Sequence, residues 1–307
     1  SLRKFFMEQV TKIDIVVPCY NVENVIGSCI ESLLDQTIPL KEYHCIFIND
    51  YSSDNTQNVL QKYKTTKNIT IINQKKNLGL AATRNTGIKK GNSKMVAFLD
   101  GDMTVEKDWL ESLSRYFSKN IIAVMGDNIP PKNLSLNPVE KYYFGRLRGA
   151  RQYNDNENIP LQYMLFGNAM IKREALEKGG LFDEKINRYG GEDTDLSAKI
   201  WNIYPNSFVF SKKSNSTHHH RRNLDEFCKS MEVYGSQNLH TLIRRYPEHK
   251  SKFAADYIFT LKGYFLFNAL SRVIIKTLSK IFPAQLIIRY LVADAVIKGA
   301  RKIRKPF

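Results

Sequence analysis

The sequence predicts an α/β fold with a mostly parallel sheet, flanking helices and a helical appendage at the C-terminal end. Two observations predict the sheet: apolar runs rich in β-branched residues recur between residues 13 and 99, and stretches with helical spacing separate them. Apolar residues at helical spacing from about residue 225 predict the appendage. A chain of 307 residues that is 43% hydrophobic can also bury a substantial core.

Each predicted element follows from the pattern of its own segment, and ligands of such sheets bind where strands end. The predicted strands are 13–18, 44–50, 69–74, 94–100 and 120–129, and the predicted helices are 22–36, 54–63, 80–91 and 108–118. Residues 130–160 are rich in Pro, Asn and Tyr, which predicts a long loop or lid. The segment 179–201 is expected to be a glycine-flanked loop that leads into another helix.

The positive charge is concentrated in the last third of the chain. Residues 211–307 contain 19 Lys or Arg against 6 Asp or Glu, which leaves only +3 of the net charge of +16 for the remainder. Apolar residues recur at helical spacing within 258–281 and 284–305, and the second segment ends in basic residues. Either these helices pack on the catalytic core, or they form a basic amphipathic surface that rests on an anionic membrane.

Nucleic acid is not expected as a partner, because the sequence has no helix-turn-helix, RRM or zinc-finger motif. The four cysteines lie far apart without a C-x-x-C pair, so we expect reduced thiols and a cytoplasmic protein, in the peripheral case at the cytoplasmic face of the membrane. The N-terminal apolar run is too short for a signal peptide, and no run of about 18 apolar residues predicts a membrane span.

The segment 98-FLDGDMTV-105 places two carboxylates, Asp100 and Asp102, at the end of a buried strand. Two neighbouring carboxylates repel each other unless a cation compensates their charge. Mg²⁺ and Mn²⁺ use one or two protein carboxylates and complete their coordination with phosphate oxygens and water. Because Gly101 permits close approach of the backbone, the triplet predicts a metal-diphosphate site, although such triplets also occur in solvated turns.

Five segments, taken together in order and spacing, carry a family resemblance. They are 14-DIVVPCYNVENVI-26, 46-IFINDYSSDNT-56, 76-KNLGLAATRNTGI-88, 98-FLDGDMTV-105 and 190-GGEDTDLS-197. Over about residues 12–245 the chain resembles the inverting family 2 glycosyltransferases, which have the GT-A fold and use nucleotide-diphospho-sugar donors. The resemblance implies a GT-A catalytic domain at 1–250, followed by a basic amphipathic helical region at 251–307.

The resemblance also implies which residues form the nucleotide pocket. They are Pro18, Tyr20, Asn21, Glu23, Asp50, Asn77, Gly79, Arg84 and Asp100. Asp50 is expected to accept a hydrogen bond from the base, and Arg84 to reach the nucleotide or its phosphates, although an isolated arginine is often part of a surface ion pair. The family pattern after the second strand is closer to D-D-G-S, and Asn49 and Tyr51 depart from it. UDP is the favoured nucleotide, and the two departures leave the base preference open.

The metal and the general base are likewise implied by the resemblance. Asp102 and Asp100 are expected to bind Mn²⁺ or Mg²⁺ with a histidine from 217-THHHRR-222, where His218 and His220 point to one side of an extended strand. Arg221 and Arg222 are expected to help neutralise the leaving diphosphate, although solvated arginine is common. Asp193 is the expected base, with Glu192 beside it. Asp195 is equally well interpreted as a residue that stabilises a helix N-terminus.

The function predicted in this way is metal-dependent, inverting transfer of a sugar to a hydroxyl acceptor, which could be lipid-linked or a precursor of a surface polysaccharide. A nucleotidyltransferase is the nearest alternative, but its Gly-rich basic loop is replaced here by 18-PCYNVEN-24. A protein that only binds a sugar nucleotide or a polyanion is the second alternative. The intact acidic motifs favour the enzyme over both.

Overall fold

The computed structural model describes residues 13–303, so the expectation about the N-terminal leader lies outside the described residues. It confirms the predicted α/β class, with one nine-stranded sheet in the order β3-β2-β1-β4-β8-β6-β9-β5 and with β7 paired to β9. The strands are Ile13–Cys19 (β1), Tyr43–Asn49 (β2), Ile69–Asn73 (β3), Met95–Leu99 (β4), Met103–Val105 (β5), Ala123–Ile129 (β6), Glu157–Asn158 (β7), Asn168–Lys172 (β8) and Phe208–His218 (β9).

The first four strands are parallel, as their continuous apolar runs predict. β1 pairs with β2 from Ile13 opposite Tyr43 to Cys19 opposite Asn49, and β4 lies on its other side. Every residue of β1 and of β4 is buried, which is expected of strands whose two faces are both covered. The carboxyl ends of β1, β2 and β4 therefore meet at one edge of the sheet.

The second half of the sheet is mixed. β8 is antiparallel to β4 and to β6, whereas β6 and β9 are parallel with an irregularity between Gly126 and Asp127. The short strand β5 follows β4 after three residues and pairs antiparallel with β9, with Met103 opposite His218. This pairing brings the end of β9 next to the acidic triplet at 100–102.

The helices separate the strands at the predicted places. They are Ile26–Leu34 (α1), Thr56–Gln61 (α2), Leu80–Lys90 (α3), Trp109–Ser114 (α4), Pro138–Tyr143 (α5), Arg173–Lys178 (α6), Glu192–Ile203 (α7), Leu224–Tyr234 (α8), His240–Arg245 (α9), Leu261–Leu266 (α10), Ala269–Ile281 (α11) and Gln285–Ala300 (α12). Within 13–303, none of them is both long enough and apolar enough to cross a membrane.

One helix lies where a loop was predicted. α5 occupies the middle of 130–160, and a capping box starts it: the Asn137 side chain accepts from the Glu140 backbone, and the Glu140 carboxylate accepts from the Asn137 N–H, both at 2.9 Å. Pro138 at the first helical position supports the same start. The abundance of Pro and Asn that suggested an unstructured loop is thus partly the signature of a helix N-terminus.

The described chain divides into two compact units. The first comprises 13–132, 149–187 and 196–220, and its core contains Ile15, Phe47 and Leu99. The second comprises 133–148, 188–195 and 221–303, with a core of Val139, Phe227, Ile288 and Val292. In this unit residues of α5 pack against α8 and α12. The domain boundary at residue 250 stays a prediction.

Gly87 in α3 provides a test of the packing between this helix and the sheet. A Cβ at this position would lie 2.4 Å from Val16 Cγ1 and 2.8 Å from Ile48 Cδ1. We expect Gly87→Ala to lower the free energy of unfolding by about 1–3 kcal/mol through overpacking, as measured by urea denaturation. At Gly27 in α1 the nearest atoms would be 3.9 Å away, so Gly27→Ala should raise stability by about 0.5 kcal/mol. Equal effects of the two substitutions would contradict this packing.

Candidate active site

Backbone hydrogen bonds join the loops at the carboxyl edge of the sheet. The Asp50 N–H donates to the carbonyl oxygen of Cys19 (2.9 Å), and the Gly101 N–H donates to that of Pro18 (3.2 Å). A Cβ at Gly101 would lie 2.9 Å from the Pro18 carbonyl oxygen, so only glycine permits this approach. The three loops that follow β1, β2 and β4 are therefore held together before any ligand binds.

Asp50 organises the segment 77–79. Its two carboxylate oxygens accept from the backbone N–H groups of Leu78 (2.7 Å) and Gly79 (2.9 Å), and its carbonyl oxygen accepts from the Asn77 side chain (3.2 Å). The structure thus brings together three of the residues predicted for the nucleotide pocket. Each carboxylate oxygen still has lone-pair capacity for the predicted bond to a base.

The two residues that depart from the family pattern have defined conformations. The Asn49 amide donates to the Asn73 side chain (3.0 Å), so this residue supports the pairing of β2 with β3. Tyr51 has φ = 60° in the left-handed region and an exposed side chain. The backbone therefore still adopts the conformation that glycine favours, at a cost of about 1–2 kcal/mol for a residue with a side chain.

Asn21 and Glu23 connect the loop after β1 with the loop after β2. The Asn21 side-chain oxygen accepts from the Ser53 N–H (2.8 Å), and the Glu23 carboxylate accepts from the Asn55 N–H (2.7 Å). Both polar side chains thus shape the edge of the predicted pocket by positioning backbone. Pro18 is buried within β1 and Tyr20 is exposed, so Tyr20 is the member of this group with an accessible ring.

Arg84 and Asp100 form an ion pair with a distance of 3.0 Å from Nη2 to Oδ1. Arg84 is only 1% exposed, and its guanidinium also lies 5.4 Å from the Phe182 ring centroid. A buried guanidinium requires an anionic partner, and Asp100 supplies one from within the chain. Arg84 was predicted to reach the phosphates and Asp100 to bind metal, whereas the structure directs these two side chains toward each other.

Gly167 makes room for Asp100, and the sequence analysis did not identify it. A Cβ at residue 167 would lie 2.6 Å from Asp100 Oδ2, and the Asp100 N–H donates to the Gly167 carbonyl oxygen (3.0 Å). The glycine is the last residue before β8, which pairs with β4. The only sequence signal was a glycine at a strand boundary, and that signal does not specify a neighbour 67 residues away in the chain.

Asp102 and His218 approach each other where β5 pairs with β9. The distance from His218 Nε2 to Asp102 Oδ2 is 3.3 Å, and the His219 N–H donates to the Asp102 carbonyl oxygen at 3.0 Å. The rings of His218 and His220 lie 6.1 Å apart, whereas His219 contacts Thr104 Oγ1 at 2.9 Å. This is the alternation predicted for an extended strand. Burial lowers the pKa of His219, so that its imidazole is neutral at pH 7.

The donor set around Asp102 fits a hard divalent cation only in part. Among residues 13–303, no three or more His, Cys, Asp or Glu side chains are arranged to hold a metal ion. The carboxylate of Asp102 and the imidazole of His218 are nevertheless close enough to serve as two ligands, and diphosphate oxygens and water are the usual complement. Cys19 is not suited as a third ligand, because burial raises the pKa of its thiol.

The three carboxylates at the start of α7, those of Glu192, Asp193 and Asp195, differ in burial and in hydrogen-bond partners. Asp195 is buried and accepts from Arg245 Nη1 and from the Tyr246 hydroxyl, both at 2.9 Å. This favours a structural role for Asp195. Glu192 is also buried, and burial together with the Glu192 charge raises the pKa of Tyr234. Asp193 alone of the three is partly accessible to solvent.

Glycines position this segment. Gly190 and Gly191 have φ values of 79° and 102°, which residues with side chains rarely adopt. The Asn238 amide donates to the carbonyl oxygens of Gly190 (2.6 Å) and Arg188 (3.2 Å). The turn that precedes the predicted base is therefore held by hydrogen bonds to its backbone.

The two arginines that follow the histidines, Arg221 and Arg222, contact other side chains of the protein. Arg221 Nε lies 2.6 Å from Oε1 of Glu140, a carboxylate that is 1% exposed. The guanidinium of Arg222 stacks over the Tyr143 ring at 4.1 Å. The structure thus gives both side chains partners within the protein. That they help neutralise the leaving diphosphate stays a prediction.

We expect Arg84→Met to lower the free energy of unfolding by about 3 kcal/mol, because it leaves the Asp100 charge beside Asp102 without its guanidinium. The double variant Arg84→Met/Asp100→Asn should recover part of this loss in chemical denaturation. The matched control is Arg115→Met, which breaks an exposed pair with Glu111 and should cost less than 1 kcal/mol. A double variant no more stable than Arg84→Met would show that the two side chains are not coupled.

Comparisons with known proteins identify glycosyltransferases as similar to this chain. The family model described as "Glycosyl transferase family 2" matches residues 14–180. Glycosyltransferase GlyA from Streptococcus pneumoniae serotype 4 is 27% identical over 213 residues, which cover 66% of this chain and 30% of that protein. The chain thus spans less than a third of this relative's length.

Two solved structures share the fold at low identity. Mannosyltransferase PcManGT from Pyrobaculum calidifontis, in complex with GDP-Man and Mn²⁺, has a TM-score of 0.64 and 17% identity over 95% of this chain and 88% of that one. Residues 1–349 of S. aureus TarS, in complex with UDP-GlcNAc, have a TM-score of 0.57 and 17% identity over 94% and 89%. Together with a family model that covers more than half of the sequence, they confirm the resemblance inferred from the five motifs: this chain belongs to glycosyl transferase family 2 and has the GT-A fold.

Proposed function

We propose that this chain transfers a sugar from a nucleotide-diphospho-sugar to a hydroxyl acceptor, with inversion at the anomeric carbon and with the help of a divalent cation. The observation that carries the proposal is the approach of Asp102 and His218, 3.3 Å apart at the edge where β1, β2 and β4 end. A carboxylate and an imidazole at the edge where the loops after β1, β2 and β4 meet suit a cation that binds a diphosphate.

The donor class is supported by the relatives. The Pyrobaculum calidifontis structure contains GDP-Man and the S. aureus structure contains UDP-GlcNAc, and both compounds are nucleotide-diphospho-sugars. We favour UDP for this chain. In our proposal the Asp50 carboxylate bonds to the base, and the exposed ring of Tyr20 lies against the nucleotide.

The protein residues have separate tasks in this proposal. Asp102 and His218 hold Mn²⁺ or Mg²⁺, with His220 as the alternative ligand, and the bound cation supplies electrostatic stabilisation to the leaving diphosphate. Asp100 has its charge compensated by Arg84, so it orients the loop and leaves Asp102 as the carboxylate that faces the ligand. This modifies the expectation that both carboxylates bind the metal.

Asp193 acts as the general base. The acceptor oxygen attacks the anomeric carbon, its proton passes to the Asp193 carboxylate, and the bond from that carbon to the diphosphate oxygen breaks with its electron pair on the oxygen. The accessibility of Asp193 supports this role, because a base must meet the acceptor hydroxyl. Glu192 is buried beside it and contributes charge rather than a proton-accepting contact with the acceptor.

The acceptor is proposed only by its chemistry, which is that of a free hydroxyl group on a glycan precursor or a lipid-linked saccharide.

The donor site can be tested by thermal shift with UDP-, GDP-, dTDP- and CMP-sugars, each with and without Mn²⁺. A ligand at 100 times its Kd adds about 2.7 kcal/mol of stability, or a shift on the order of 5 °C. We expect this shift from one nucleotide class with Mn²⁺, and its loss in Asp102→Ala. The control Asp35→Ala removes an exposed carboxylate and should keep the shift. A shift in Asp102→Ala equal to that of the wild type would rule out the proposed metal position.

The base is tested by Asp193→Asn, which keeps the size of the side chain and removes its basicity. We expect sugar transfer in a product assay to fall by about 10²- to 10⁴-fold while the thermal shift with the donor is unchanged. Asp35→Asn is the matched control and should transfer at the wild-type rate. Full transfer by Asp193→Asn would assign the base elsewhere, and a wild type that binds donor without transfer would favour the sugar-nucleotide binder.

A further inference from the structure

The amphipathic helix α11 exposes its apolar side to solvent. Its large apolar residues recur every three or four positions and therefore form one stripe: Leu270, Val273, Ile274, Leu278 and Ile281. They are among the exposed hydrophobic residues, with Leu270 at 72% and Val273 at 64% exposure, and no residue of α11 is buried. A surface helix of a globular domain normally shows the reverse arrangement, in which this stripe faces the core.

The opposite side of α11 is attached through polar contacts. Arg272 Nη2 lies 3.0 Å from Asp294 Oδ1 on α12, and the Tyr290 hydroxyl donates to Ser271 Oγ at 2.8 Å. The half-buried residues of α11 are Ser271, Arg272, Ile275 and Ser279. The orientation of the helix is thus determined by an ion pair and a hydrogen bond on its polar side, which leaves the apolar stripe outward.

Neighbouring segments of the same compact unit extend the apolar surface. In α10, Leu261 is 90% and Phe265 is 82% exposed, and the residues after α11 add Phe282 and Leu286. We call this set, from Leu261 to Leu286, the apolar face. Monomeric soluble proteins rarely expose so many large apolar side chains together, and such patches mark sites of interaction with protein or membrane.

The charge around the apolar face is of one sign. Residues 261–289 contain five basic residues and no Asp or Glu. Two of the five are paired with carboxylates of other helices, Arg272 with Asp294 and Lys276 with Asp225 at 3.0 Å, whereas Lys262, Lys280 and Arg289 are exposed. On the wheel of α11, Lys280 lies at the border of the apolar stripe, where an amphipathic helix in a bilayer interface presents its cations to lipid headgroups. Two copies of this face would repel each other, so the charge favours an anionic partner over a second copy of the chain.

We propose that the apolar face docks on a bilayer that contains anionic lipid, with the stripe of α11 in the boundary between headgroups and acyl chains. The inference goes beyond the proposed transfer reaction and does not depend on it. The described helices are too short or too polar to span a membrane, so the contact is peripheral. Apolar side chains supply the insertion, and the lysines supply the preference for anionic headgroups.

The test is flotation of the full chain with vesicles of phosphatidylcholine alone or mixed with phosphatidylglycerol. The wild type is expected to float with the anionic vesicles and poorly with the neutral ones. Val273→Glu/Leu278→Glu should bind the anionic vesicles at least tenfold more weakly. The matched control Gln57→Glu/Ser251→Glu makes the same change in charge at exposed polar positions and should bind like the wild type.

The variant Lys280→Gln measures the contribution of charge separately. It also tests the proposal if circular dichroism shows that the glutamate pair does not fold. A basic residue near an anionic surface contributes about 1 kcal/mol, so binding to the anionic vesicles should weaken roughly fivefold without change on neutral vesicles. Absence of flotation by the wild type, or equal flotation by the glutamate pair and its control, would overturn the proposal. A dimer in light scattering that the glutamate pair dissociates would assign the face to a second copy instead.

Discussion

The repulsion between two carboxylates separated by one residue, Asp100 and Asp102, is the constraint on which the arrangement of the first unit's candidate site depends. Asp100 and Asp102 follow a buried strand, where their mutual repulsion is poorly screened. The fold compensates one of them internally, because Arg84 reaches Asp100 from α3. Asp102 lies beside His218, and the cation position that we propose rests on this pair. Gly101 and Gly167 serve the same constraint by letting backbone approach where a side chain would collide.

The features that could be predicted from the sequence are those that depend on local pattern. Continuous apolar runs such as 95–99 indicated parallel strands, and the period of two of an extended chain indicated that His218 and His220 share a side. The position of the acidic triplet at a strand end was enough to place it at the edge of the sheet. These properties depend on residues that are neighbours in the chain.

The features that could not be predicted depend on pairings between distant residues. Nothing local shows that Arg84 would be paired with Asp100, or that Glu23 would accept a backbone N–H from the next loop. The family resemblance assigned these side chains to a ligand, and the structure adds their contacts within the protein. The signal for α5 was present as Asn137-Pro138 with Glu140, but the composition of the surrounding segment was typical of a loop.

The contacts of Glu140 restrict how the segment that contains α5 can move. Its carboxylate accepts from the Asn137 N–H at the start of α5, from Arg221 and from the Arg222 N–H. Burial would raise its pKa, but these donors hold the pKa below its ordinary value, so the group stays ionised at neutral pH. Moving α5 away would separate the Glu140 carboxylate from Arg221 and from the Arg222 N–H. The segment therefore cannot work as a free flap, and any hinge that admits a large acceptor must carry Arg221 and its neighbours along with α5.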